Sequence, residues 1–172
     1  MNKEVSKLLD EAIKLERNVA DLYTIFNKLF PEDADFWSTL ASEERNHAAL
    51  LNSGKKTLLA VGMFPSELLV PQVQRIIDAN SNLISLINNY GKAPPSRERA
   101  FNDALFLEQS AGEIHFQQAM KRVHSSDIMQ TFQQLNKDDR DHILRIRNYM
   151  KEKEIKIHSH SMKQTQKNEQ SL

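Results

Sequence analysis

The chain has 172 residues, which is enough for one domain with a sizeable apolar core, and its 23 basic and 23 acidic side chains balance to a formal net charge of zero. Without a basic excess, neither nucleic acid nor an anionic membrane surface is an expected partner. Cysteine is absent, which excludes disulfides and iron–sulfur clusters and leaves histidine and carboxylates to form any metal site. Glycine and proline are few, at four and five residues, and this favours an all-α fold.

The extent of the domain follows from the apolar periodicity, which predicts one helical domain over residues 1–155 and a disordered tail over residues 156–172. We expect the two tail histidines, His158 and His160, to be solvated and inert. No apolar run is long enough to span a membrane, and the N-terminal residues begin an amphipathic helix instead of a signal peptide. We therefore expect a cytoplasmic protein.

The first half of the chain predicts two long helices, because apolar residues recur at alternating steps of three and four, as on the inward face of a bundle helix. The first helix spans about residues 3–28, and Glu16 is the only polar member of its seam. The second spans about residues 35–59, and Glu44 and His47 occupy the middle of its seam. A core does not accept such groups without partners.

The connection over residues 62–95 contains a helix of its own, which begins near Pro71 and stops at Tyr90 and Gly91. A connection of this length lets the next helix start at the far end of the bundle, as in crossover bundles. The apolar stripe of this extra helix is compatible with a homodimer.

The second half repeats the pattern of the first. A helix over about residues 96–123 carries Glu108 in mid-seam, and a helix over about residues 127–152 carries Asp139 and His142 where the second helix carries its acid and its histidine.

Folded as two helix pairs, the halves would bring four carboxylates and two imidazoles together at mid-bundle: Glu16, Glu44, His47, Glu108, Asp139 and His142. About one acid-x-x-His match is expected by chance in a chain of this composition, so the two matches alone are weak evidence. The stronger evidence is that all six residues lie in the middle of otherwise apolar seams. Buried without partners, the carboxylates would repel one another and take up protons. Two divalent cations would neutralise four carboxylates.

This ligand set resembles that of the ferritin-like di-iron carboxylate bundles. Residues 12–16 followed by Tyr23, and residues 40–47, look most like rubrerythrins, and the resemblance covers roughly residues 4–150 apart from the connection. It implies a ferritin-like four-helix bundle of two antiparallel helix pairs, with a long crossover connection that carries an extra helix.

The resemblance also implies a role for each ligand. Glu44 and Asp139 would bridge two iron ions, Glu16 and Glu108 would be terminal ligands, and each acid-x-x-His histidine would bind one metal. Manganese or a mixed iron–manganese pair would suit the same ligands.

Tyr23 and His115 would lie beside the metals as catalytic neighbours. His115 stands where a tyrosine is expected, so it is open whether it is an extra ligand, a proton donor or a polar core residue. Two other positions depart from the rubrerythrin pattern. Asp139 is one methylene shorter than the usual glutamate, and Ala111 replaces a further glutamate.

The implied function is that of a non-haem di-iron protein that oxidises bound Fe(II) with hydrogen peroxide or dioxygen, for oxidative-stress defence or iron handling. Because a rubredoxin-type module is absent, electrons would come from an external donor or from the iron itself. The alternatives are a non-enzymatic metal-binding or iron-storage bundle, and a helical interaction bundle whose metal site is vestigial. Glu43 and Asp138 lie off the seams, and we expect them to face solvent.

Overall fold

The computed structural model describes residues 2–64, 73–115 and 127–158, with side chains over 3–64, 73–110 and 140–158, and these residues form helices joined by short turns, without a strand. The predicted all-α class is confirmed. The five α-helices are α1 (Asn2–Leu29), α2 (Ala34–Gly54), α3 (Val73–Lys92), α4 (Arg97–His115) and α5 (Asp127–Glu152). Among the described residues, no helix combines the length and the apolar character needed to cross a bilayer.

Helices α1 and α2 form an antiparallel pair. A short 3-10 turn, Pro31–Asp33, joins them, and its proline stands at the first position, where a missing N–H is tolerated. Asn27 Nδ2 donates to the carbonyl oxygen of Ala34 across this turn at 2.7 Å. One turn of π-helix, Lys55–Leu59, continues α2 and accounts for the longer helix that the sequence predicted.

Helix α3 carries the chain back along α1. Asn80 is buried, and its side chain donates to the backbone oxygen and the carboxylate of Glu11 and accepts from Asn18, each at 2.9 Å. Further along α3, Tyr90 lies 5.9 Å from the Phe26 ring. These contacts make α3 parallel to α1, so α4 starts at the end of the bundle where α1 meets α2.

The start of α4 and the end of α5 meet at that same end. Ser96 Oγ accepts from the backbone N–H of Arg99 at 3.2 Å and caps α4. Asp33 is buried, accepts two bonds of 2.7 Å from the Arg97 guanidinium, and accepts a third, of 2.9 Å, from the Tyr149 hydroxyl. Helices α4 and α5 are therefore antiparallel, and one carboxylate joins three segments of the chain.

The apolar core is aromatic near this end. Trp37 is fully buried, and its ring lies 5.0 Å from Phe26, 4.4 Å from Phe101 and 5.5 Å from Tyr23. The sequence predicts Phe26, Trp37 and Phe101 as packing residues, and the structure confirms this.

The chain after α5 folds back onto α4. Ile155 is buried, Asn102 Nδ2 donates to the carbonyl oxygen of Lys156 at 2.8 Å, and the backbone N–H of His158 donates to Asn102 Oδ1 at 2.7 Å. The imidazole of His158 lies 2.6 Å from the Glu98 carboxylate. These first residues of the predicted tail are thus held in place, and residues 159–172, with His160, lie outside the described residues.

Candidate metal centre

Five of the six predicted ligands are buried together in the middle of the bundle: Glu16 of α1, Glu44 and His47 of α2, Glu108 of α4 and His142 of α5. Helical spacing explains the arrangement, because each of these residues occupies an inward seam position that an apolar residue fills elsewhere. The sixth, Asp139, lies on α5 one turn before His142, and its side chain is outside the described residues.

Glu44 stands between the two histidines and faces each with a different oxygen. Its Oε2 atom lies 3.3 Å from His47 Nδ1, and its Oε1 atom lies 2.8 Å from His142 Nδ1. Glu16 Oε2 is 3.7 Å from the His47 nitrogen, and Glu108 Oε1 is 3.5 Å from the His142 nitrogen. The residues thus form two groups of three that share Glu44, and within each group the ligand atoms lie within 4.8 Å of one another.

The negative charges of the carboxylates determine the protonation state of the two imidazoles. Burial by itself would lower the pKa of His47, but its contacts with Glu16 and Glu44 outweigh burial and raise that pKa to about 11. For His142, the contacts with Glu108 and Glu44 likewise overcome burial and raise the pKa to about 11. Without a metal, both imidazoles therefore hold protons that neutralise part of the buried negative charge.

The donor set fits a divalent transition metal. Carboxylates and imidazoles suit Fe(II) and Mn(II), and no softer ligand is present in the cluster. His142 Nδ1 is buried and makes no hydrogen bond with a described residue, because the nearby Glu44 oxygen lies off the direction of its ring N–H. A buried ring nitrogen that faces two carboxylates without an in-line partner is suitably placed to ligate a cation.

Glu43 remains partly exposed, as expected for an off-seam residue, but its carboxylate also holds the other side of the His142 ring. Its carboxylate lies 3.0 Å from His142 Nε2 and accepts from both terminal nitrogens of Arg145. Burial would raise the pKa of Glu43, but Arg145 and His142 outweigh burial and lower it. The carboxylate fixes the ring so that Nδ1 faces the cluster, as carboxylates commonly do for metal-ligating histidines.

A sequence signal for Glu43 exists, because it directly precedes Glu44 and so projects from the side of α2 next to the seam. The seam pattern of α2 alone could not reveal that α5 covers this side. The other off-seam residue, Asp138, has its side chain outside the described residues.

Tyr23 is completely buried, and its hydroxyl donates to Glu108 Oε1. The structure therefore places it directly against a predicted ligand. His115 is the last residue of α4 that the structure describes, and its side chain, like that of Ala111, lies outside the described residues.

Comparisons with protein-family models, with curated proteins and with solved structures found no significant match. The function is therefore inferred from the residues of the cluster and their surroundings.

Proposed function

We propose that the protein is a ferritin-like di-iron protein of rubrerythrin type, which binds two metal ions at mid-bundle and oxidises Fe(II) with hydrogen peroxide or dioxygen. The observation that carries this proposal is the position of Glu44, whose two oxygens face two separate groups of ligands. A carboxylate placed in this way is suited to bridge two cations.

Charge supports a pair of cations over a single one. The three described carboxylates, Glu16, Glu44 and Glu108, lie within one buried cluster whose other described members are the two histidines. Asp139 would add a fourth negative charge if it completes the site, and two divalent ions would then balance the carboxylates while the histidines become neutral ligands. When bound, two Fe(II) ions would supply the electrons for reduction of the oxidant.

The chain's own residues support this chemistry in three ways. Glu43 keeps His142 Nδ1 directed toward the cluster, and the Tyr23 hydroxyl donates a hydrogen bond to Glu108 Oε1, which would position a proton donor beside that ligand. The fully buried Trp37, Leu40 and Leu51 flank Glu44 and His47 along the same face of α2 and add apolar surface on this side of the cluster.

The helix directions support the ferritin-like arrangement. Helices α1 and α2 form one antiparallel pair, α4 and α5 form another, and α3 carries the long connection along the side of α1. This is the topology of bundles with one long crossover.

A structural network without metal is the second candidate, because each histidine is in contact with two carboxylates in the described cluster. A network of these ion pairs would contribute to stability without binding any ion. A non-enzymatic metal-binding or storage bundle lies between the two, since it would bind iron without turnover.

Anaerobic loading with Fe(II), removal of excess iron and elemental analysis would test the proposal. We expect about two irons per chain and a rise in melting temperature, because a ligand that binds only the folded state stabilises it. Addition of hydrogen peroxide should then oxidise the bound iron, which an optical titration would follow. Absence of bound iron, with helicity and melting temperature unchanged by metal, would favour the structural network, while bound iron that peroxide does not oxidise would favour the non-enzymatic bundle.

A further inference from the structure

A second concave site lies on the outer side of the α1–α2 pair, away from the buried cluster. This basic groove is a cavity of about 400 Å³ whose polar lining comes from Arg17 of α1 and from Arg45, Asn52, Ser53 and Lys56 of α2 and the π-helical turn that follows it. Antiparallel packing of the two helices brings the three cations, which are far apart in sequence, to one concavity.

The three cations of the basic groove have no carboxylate within 4 Å among the described residues, although the net charge of the chain is zero. The next residue along the chain shows the contrast, because Lys55 pairs with Asp10. Three cations around one cavity repel one another, and an anion between them would remove that repulsion.

Arg45 is held in place before any ligand arrives. Its Nη2 atom donates to Thr24 Oγ1 at 2.6 Å and its Nη1 atom donates to the carbonyl oxygen of Ala41 at 3.3 Å. A guanidinium has five N–H donors, so these two bonds do not use all of them. A preorganised guanidinium loses less entropy when it binds an oxyanion than a free side chain does.

The size and the borders of the groove favour a small anion over a polyanion. Asp10 and Asp21 are exposed on α1 on either side of Arg17 along the chain, so basic residues do not continue without interruption along this helix. Nucleic acid would need an extended basic face, and the balanced charge of the chain provides none.

We propose that the basic groove binds a tetrahedral oxyanion of the phosphate class. Arg17 and Arg45 would contact its oxygens as planar forks, and Lys56 would contribute a point charge. Arg17 and Arg45 directly follow Glu16 and Glu44 in sequence, so the bound anion lies at the same height of the bundle as the metal cluster, on the outside of the helix pair.

Titration of the full, metal-free chain with inorganic phosphate, followed by calorimetry and by ³¹P NMR, would test this inference. We expect saturable binding of one phosphate per chain, and Arg17→Gln and Lys56→Gln should each raise the Kd at least about fivefold. Lys28→Gln is the matched control, because it removes the same charge from an exposed position on α1 outside the groove, and it should leave the Kd unchanged.

A parallel titration with phenyl phosphate identifies the source of the oxyanion. Tighter binding than that of inorganic phosphate would assign the groove to phosphate monoesters, and equal binding would assign it to the free ion. Absence of saturable binding in a low-salt buffer, or equal weakening in the Lys28→Gln control, would overturn the inference. Since the chain is metal-free throughout, neither result depends on the proposed iron chemistry, and circular dichroism checks that each variant is folded.

Discussion

Asp33 and the mid-bundle cluster both contain buried carboxylates, and their partners satisfy these carboxylates in opposite ways. At the end where α1 meets α2, Asp33 is held by the permanently charged guanidinium of Arg97 and by the hydroxyl of Tyr149. At mid-bundle, the carboxylates of Glu16, Glu44 and Glu108 face imidazoles, whose charge depends on a proton. We call the first region closed, because its cation is the Arg97 side chain, which a metal ion cannot replace. The second is open in the sense that, under the proposed function, a metal ion would replace the protons on the histidines.

The largest expected effect is loss of metal binding in the open region, with the closed region left intact. Glu44→Ala removes the carboxylate shared by both ligand groups, so we expect the bound iron to fall from about two per chain to background after anaerobic loading. Elemental analysis measures this, and the metal-dependent rise in melting temperature should vanish with it. Retention of both metals in this variant would contradict the bridging role of Glu44.

A substitution at Asp33 removes the buried carboxylate of the closed region and leaves the open region intact. Asp33→Ala leaves the partly exposed Arg97 and the Tyr149 hydroxyl without their acceptor, and we expect the free energy of unfolding to fall by about 2–3 kcal/mol. Urea unfolding of the metal-free chain measures this loss, and metal binding at low denaturant should persist. Asp35→Ala, an exposed carboxylate two residues away, is the control and should change stability little. If Asp33→Ala instead abolished metal binding without loss of stability, the distinction between the two regions would fail.

A smaller effect tests how the open region is supported. Glu43→Gln weakens the contact that orients His142, and we expect metal affinity to fall about tenfold, as measured by competition with a chelator. Asp141→Asn is a matched control, because Asp141 pairs with the same Arg145 from an exposed position. An equal loss of metal affinity in the two variants would show that Glu43 acts only through Arg145.

The smallest effect concerns the one predicted ligand whose side chain the structure does not describe. Asp139→Glu restores the longer side chain that the rubrerythrin resemblance implies, and we expect it to preserve or tighten metal binding. Isothermal titration with Mn(II) would measure this, since Mn(II) does not react with dioxygen under mild conditions. A marked loss of affinity would mean that Asp139 does not occupy the bridging position.

The all-α fold and the mid-bundle positions of the buried polar residues could be predicted, because both are encoded by local periodicity. The seams that contain Glu16, Glu44 and Glu108 follow from steps of three and four residues, and a polar residue in mid-seam is visible in the sequence alone. Contacts between residues that are far apart in the sequence leave no such periodic pattern. The pairing of Arg97 with Asp33 spans 64 residues, and that of His142 with Glu43 spans 99. Neither could be read from the pattern of one helix.

The length of α3 determines the level along the bundle at which the second half of the chain begins. Helix α3 has 20 residues and α2 has 21, so at about 1.5 Å per residue each covers about 30 Å. Helix α3 therefore spans almost the same distance as α2, and α4 begins at the end of the bundle where α2 begins. Glu44 and Glu108 consequently fall at nearly the same depth, eleven and twelve residues into their helices. Helix α3 contributes no described residue to the Glu–His cluster, yet its length places the two halves of that cluster at the same level of the bundle.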